Sequence, residues 1–144
     1  MTLLELMLAT MLVGVLAAIG IPSYQNAILR TRIERARTEL MDIRSGVLAS
    51  RGPDFKLPAT LDSVPNIPRI DPWGHPYAYL YFNAPGVNRG GMRKDRNLVP
   101  INSEFDLYSD GKDGETRPPL TAKPSQDDIV IARDGAFVGV AEDF

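Results

Sequence analysis

The sequence predicts an α+β protein: one long amino-terminal helix, apolar in its first half and amphipathic in its second, packed on a small antiparallel sheet of three or four strands. Three observations carry this. Leu6–Leu29 runs for 24 residues without a charge, long enough as a helix at about 1.5 Å per residue to cross a hydrocarbon core of ~30 Å. Leu29, Ile33, Ala36, Leu40, Ile43 and Val47 then recur at spacings of 4, 3, 4, 3 and 4, the stripe of a helix with one buried face. Beyond residue 76 the apolar residues fall into short alternating runs divided by Gly, Pro and Asp, the pattern of strands and turns.

The helix is expected from about residue 2 to about residue 50. Arg30, Arg32, Glu34, Arg35, Arg37, Glu39 and Asp42 fill the face away from the stripe, and Arg30–Glu34 and Arg35–Glu39 stand at i,i+4. Pro22 lacks an N–H and crowds the preceding turn, so it kinks or loosens the helix. Gly14 and Gly20 lower helix stability on the same side. Arg51-Gly52-Pro53 closes the helix.

Residues 52–72, rich in Pro and with little periodicity, read as a loop or short turns, and Asp71-Pro72-Trp73-Gly74-His75-Pro76-Tyr77 as a dense turn cluster. Tyr77, Tyr79 and Tyr81 alternate with Ala78, Leu80 and Phe82, which predicts a strand whose tyrosines share one face. Asn83–Asn97 is Gly-rich and basic and reads as an exposed loop. Phe105-Asp106-Leu107-Tyr108 is a second strand. Ile129-Val130-Ile131 and Ala136–Val140 flank the turn dipeptide Asp134-Gly135.

Net charge is −2 over 144 residues, which excludes a generic nucleic-acid binder. The charge is uneven: residues 30–51 carry six Arg against three acids, and residues 101–144 ten acids against four basic residues. There is no cysteine, so thiol catalysis and thiolate zinc sites are excluded. A small domain of this size without cysteine needs a staple other than a disulfide, and a metal ion is the obvious choice. His75 is the only histidine. Nothing in the sequence forms a nucleophile–base pair, a phosphate loop or a zinc site, one imidazole and no thiol leave few options, and the chain is read as no enzyme.

Glu5 stands alone at the edge of the apolar run. A carboxylate at membrane depth costs roughly 2–3.5 kcal/mol on insertion scales and calls for a partner. No Lys or Arg precedes Arg30, so the candidate cation is an α-amino group. Met1-Thr2-Leu3-Leu4-Glu5-Leu6, the apolar helix behind it and Ile21-Pro22 together resemble the mature amino terminus of type IV pilins and type II secretion pseudopilins. The basic flank of a signal peptide is missing. The resemblance implies that a prepilin peptidase has removed a leader and that Met1, standing where Phe is usual, is an N-methylated first residue. It implies that Glu5 pairs with the terminal amine of a neighbouring subunit. It also implies that the segment around Gly14–Pro22 melts as helices pack into a filament.

A second constellation narrows the resemblance. Tyr108-Ser109-Asp110-Gly111-Lys112-Asp113-Gly114-Glu115, then Asp127-Asp128-Ile129, with Asp71-Pro72-Trp73-Gly74, resembles the carboxy-terminal region of the type II secretion major pseudopilin, whose loop binds one Ca²⁺. Calcium takes six to eight oxygens from carboxylates and from carbonyls on tight turns. Asp113, Asp127 and Asp128 would supply carboxylates; carried over by position, the carbonyls of Asp110 and Glu115 and an oxygen of Ser125 complete the shell. The departure is Thr116–Pro124, longer and richer in Pro than the family pattern. An EF-hand is excluded, because Ser109, Gly111 and Leu120 stand where it needs acids.

On this resemblance, residues 1–25 form a transmembrane and filament-core helix. Residues 26–144 form a periplasmic head that includes the amphipathic stretch 26–51. The function implied is a subunit of a pseudopilus that drives export of folded proteins, with a type IV pilin for adhesion, motility or DNA uptake as the alternative. The partners implied are copies of the same chain in a helical filament, minor pseudopilins, an inner-membrane platform and its ATPase, the peptidase, and lipid before assembly. The location implied is the bacterial inner membrane and periplasm, or the cell surface for a pilin.

Overall fold

The computed structural model describes residues 2–144. One helix, α1 (Leu3–Ala49), leads the chain. Four strands follow: β1 (Ala78–Tyr81), β2 (Phe105–Ser109), β3 (Ile129–Ala132) and β4 (Phe137–Val140). They form one antiparallel sheet in the order β1-β2-β3-β4, so each strand pairs with its neighbour in sequence. The expected α+β class, the helix limits and the four strands are all present. Packing divides the chain into two compact units, one ending at Arg32 and one running Ile33–Phe144.

In the first unit the helix starts on a reciprocal cap. The Thr2 backbone N–H donates to Glu5 Oε2 at 2.7 Å, and the Glu5 N–H donates to Thr2 Oγ1 at 3.2 Å. This is the Thr-x-x-Glu capping box, in which two otherwise unpaired N–H groups are satisfied together. The helix continues through Pro22 without a break. Its apolar side chains are bare on every side, Leu3, Met11 and Ile19 each about 70–77% exposed, and among the described residues it is the one helix long and apolar enough to cross a membrane.

In the second unit the stripe read from the sequence is the buried face from Ile33 onward, whereas Leu29, its first expected member, is exposed. Ala36, Leu40, Ile43 and Val47 are fully buried and Ile33 packs beside them. Against them lie Tyr77, Tyr81, Phe105, Leu107, Ile129 and Ile131 from the sheet, and Leu57 and Val64 from the loop. Tyr79 joins the same face and its ring meets Phe105 at 5.4 Å, a diagonal cross-strand contact. The tyrosine alternation is therefore core packing.

The intervening residues face the other way. Val130 and Ala132 pack with Ile101, Leu120 and Ala141, beside Tyr108, Phe137 and Phe144. The sheet is thus covered on both faces, and β3, buried along its whole length, is apolar throughout, as two-sided burial requires.

Polar contacts fix the helix on the sheet. Arg37 donates to the Val138 carbonyl at 2.8 Å, Arg44 to the Asp134 carbonyl at 2.6 Å, and the Tyr77 hydroxyl to Glu39 at 2.6 Å. At the helix end Arg51 forks onto both oxygens of Glu104, a bidentate geometry that sets direction as well as distance. Arg35–Glu39 forms as expected, whereas Glu34 pairs with Arg37.

One expectation is corrected. Asn83–Asn97 is not an exposed loop throughout: Met92 and Arg93 are buried at 8% and 1% exposure. Arg93 escapes a sequence reading because it stands among Gly, Asn and other basic residues, where a charged side chain ordinarily faces water.

Leu40 fills the centre of the stripe. Leu40→Ala should destabilise the full chain in detergent micelles by about 2–5 kcal/mol, read by denaturant unfolding, while Met41→Ala on the half-exposed face should change it by no more than about 0.5 kcal/mol. Equal losses from both would refute this assignment of the buried face.

Candidate functional site

Two regions bear on function: the start of α1 and the loop system at the edge of the sheet. At the first, Met1 lies outside the described residues, so its expected methylation and amine partner cannot be placed. Glu5 is exposed, and among the described residues its carboxylate accepts the Thr2 N–H and hydroxyl. Pro22 lies inside the helix with an exposed side chain.

The loop system is organised by Asp71. Its side chain is buried. Oδ1 accepts the N–H groups of Trp73 and His75 at 3.0 and 2.8 Å, and Oδ2 accepts the Ser109 hydroxyl. Ser109 Oγ in turn accepts the Gly111 N–H at 3.1 Å, and His75 Nδ1 lies 3.2 Å from the Gly111 carbonyl. The Asp-Pro-Trp-Gly-His turn thereby grips the loop after β2. Trp73 packs against the core edge.

Gly111 and Gly114 both adopt positive φ, +68° and +70°, where a side chain is strained. A Cβ on Gly111 would come within 2.4 Å of the Asp127 carbonyl oxygen, and one on Gly114 within 2.8 Å of His75 Nε2. The loop closes on Asp127, whose Oδ2 accepts the N–H groups of Lys112 and Asp113 at 2.9 and 3.1 Å.

The expected calcium ligands have separate occupations. Asp113 is exposed and accepts the Glu115 N–H, and Glu115 is exposed. Ser125 is buried, but its hydroxyl accepts the Arg117 N–H and donates to the Arg117 carbonyl, both at 2.7 Å. Asp127 is held by backbone N–H groups. Asp128 is fully buried against the Arg93 guanidinium and accepts the Thr116 hydroxyl at 2.6 Å. Asp110 is half-buried with its Oδ1 unpartnered.

Among the described residues no three His, Asp or Glu side chains converge as a metal centre requires. A calcium shell is built from oxygens. Here the turn at residues 111–113 directs donors inward, and a guanidinium stands at the most buried carboxylate. As arranged, the three carboxylates of the expected shell, Asp113, Asp127 and Asp128, do not fit the ion.

Burial shifts the carboxyls on this side of the sheet upward. It pushes Asp128 up to about 6, against the opposing pull of Thr116 and Arg93. Asp110 is raised by burial, opposed chiefly by Arg93. Asp106 is raised by burial, opposed by the Arg93 N–H and Asn102.

Comparison with known proteins finds relatives among secretion and fimbrial proteins. The chain is 26% identical over 135 residues to the type II secretion system core protein G of Pseudomonas aeruginosa, covering 79% of this chain and 83% of that protein. It is 44% identical over 46 residues to the type IV major fimbrial protein FimA of Dichelobacter nodosus. It is 43% identical over 44 residues to a fimbrial protein of Pseudomonas aeruginosa. The chain is thus similar to a type II secretion protein along most of both chains and to type IV fimbrial proteins over a shorter stretch. The match spans about 30% of the length of the fimbrial relatives. No protein-family model matches the chain, and no solved structure matches it.

Two outcomes test this loop geometry. Gly111→Ala should destabilise the protein more than Gly114→Ala, because the first meets backbone and the second the tip of a side chain that can turn aside; thermal melts in micelles decide it. Between the ordinary carboxyl value of 3.8 and about 6, the folded protein holds the Asp128 proton more tightly than the unfolded chain does. Asp128 therefore lowers stability as pH rises through that window and adds no slope above it. Asp128→Asn should flatten the melting profile between about pH 4 and 6, and an unchanged profile would contradict the assignment.

Proposed function

We propose that this chain is the structural subunit of a type II secretion pseudopilus. The observation that carries the proposal is the alignment to the secretion-system protein along most of both chains. The geometry supports it. The uncovered apolar half of α1 is suited first to lipid and then to the flanks of identical helices, since a bare apolar surface of that extent has to be covered. Glu5, the single charge at its edge, supplies an acceptor for the amine of a neighbour.

The mechanism is mechanical. Lipid holds the first half of α1 in the inner membrane while the head folds in the periplasm. A platform protein and its ATPase extract the subunit, helices pack in the filament core, and the growing fibre, joined by minor pseudopilins, pushes folded cargo outward. The fimbrial matches favour a second reading, a type IV pilin displayed at the cell surface.

Glu5→Ala removes both the cap and the charge, whereas Glu5→Gln keeps an amide oxygen for the capping box and removes the charge. Both variants should accumulate in the membrane and fail to form filaments by electron microscopy; normal filaments from Glu5→Gln would sink the charge-pairing mechanism. Deleting the gene should abolish exoprotein release while surface fibres persist. Loss of surface fibres with secretion intact would establish the pilin reading instead.

A further inference from the structure

Arg93 is the most buried cation of the head, at 1% exposure, and it is joined to three separate parts of the chain. Its backbone N–H donates to Asp106 on β2 at 2.6 Å. Its guanidinium lies over the Tyr108 ring, 4.3 Å from the centroid, within the range of a cation–π contact. Nη1 donates to the Thr116 hydroxyl and, at 2.7 Å, to the Arg117 carbonyl. Nη2 donates to Asp128, the residue before β3.

These partners form a set of oxygens around one positive charge: a carboxylate, a hydroxyl and a main-chain carbonyl. Ser125 braces the same set by gripping both polar backbone groups of Arg117. The next residue extends the clamp, because the Lys94 N–H donates to the Pro118 carbonyl at 3.0 Å and the Leu120 N–H to the Lys94 carbonyl at 2.8 Å. The long stretch Thr116–Pro124 is thus the wall on which Arg93 and Lys94 close.

We infer that Arg93 is a built-in cation that staples the loops between β2 and β3, in the place where a bound metal ion would otherwise be needed. Two features support this. The guanidinium already engages the one carboxylate that is both fully buried and part of the acidic pair Asp127-Asp128. Asp127 Oδ2 already accepts two amide N–H groups, so that oxygen holds the turn. An arginine suits the position because its charge is permanent and its donors form a fixed fork.

The inference concerns how the head is held together and stands whether the filament is a pseudopilus or a pilus. The test uses the full chain in detergent micelles. Thermal melts are recorded with about 10 mM calcium chloride, well above the ~10⁻⁴–10⁻³ M dissociation constants of extracellular calcium modules, and with EGTA. The wild-type midpoints should coincide within about 1 °C, and calorimetric titration with calcium should show no binding heat. A rise of several degrees, as a saturating ligand produces, would overturn the inference.

The staple itself is read from a double-mutant cycle. Arg93→Gln strands a buried carboxylate and should lower the midpoint by several degrees with or without calcium. Adding Asp128→Asn to that variant should restore part of the loss, because the uncompensated charge is gone. Losses that simply add would show that the two side chains act independently and would refute the staple. If Arg93→Gln does not fold, the wild-type calcium measurement decides alone.

Discussion

The one demand that organises the unit Ile33–Phe144 is cover for a stripe of α1. Ala36, Leu40, Ile43 and Val47 place four side chains on one line, and a helix bearing such a line gains stability mainly by packing it away from water. The sheet supplies the cover, and its pleat then decides what lies behind. Odd-numbered residues of β2 and β3 face the helix. Even-numbered residues face the second cluster and, with it, the polar network of Asp106, Tyr108 and Arg93. The loop system is thus positioned by a decision made on the opposite face of the sheet.

Loops of this length without cysteine need other fixings, and the chain uses buried side chains that bind backbone. Asp71 holds the turn before β1 to the end of β2. Asn102 donates to Asp106 on β2 and to the Ile131 carbonyl on β3, which ties the loop before β2 to both strands. Arg93 reaches across the far side. Each of these groups is costly to bury alone and is tolerable because its partners are fixed. The arrangement is therefore all-or-none at each node.

What was legible in the sequence follows from how far apart the interacting residues stand. The helix and its buried face are written at spacings of three and four, the strands at spacing two, and the β3–β4 turn in Asp134-Gly135. Those signals are local, and the structure follows them. Thr2-x-x-Glu5 is also local and marks the helix start, although the isolation of Glu5 in the apolar run is the more conspicuous fact. The meeting of Arg93 with Asp128, 35 residues apart, has no local trace. The acids of residues 110–128 resemble an ion-binding loop when read as a list. Only three-dimensional placement shows that a side chain from a Gly-rich segment already stands among them.

The strand order has a consequence in time. Because the sheet is a simple meander, each pairing joins segments adjacent along the chain, and the cost of closing a loop rises only slowly with its length. Such a head can build its sheet progressively from β1 to β4, with no strand waiting for a strand remote in sequence. Docking of the α1 stripe, which is made before any strand, is the contact that spans the greatest chain distance. A subunit of this kind is suited to rapid supply, where many copies must reach a folded state before they are drawn into an assembly.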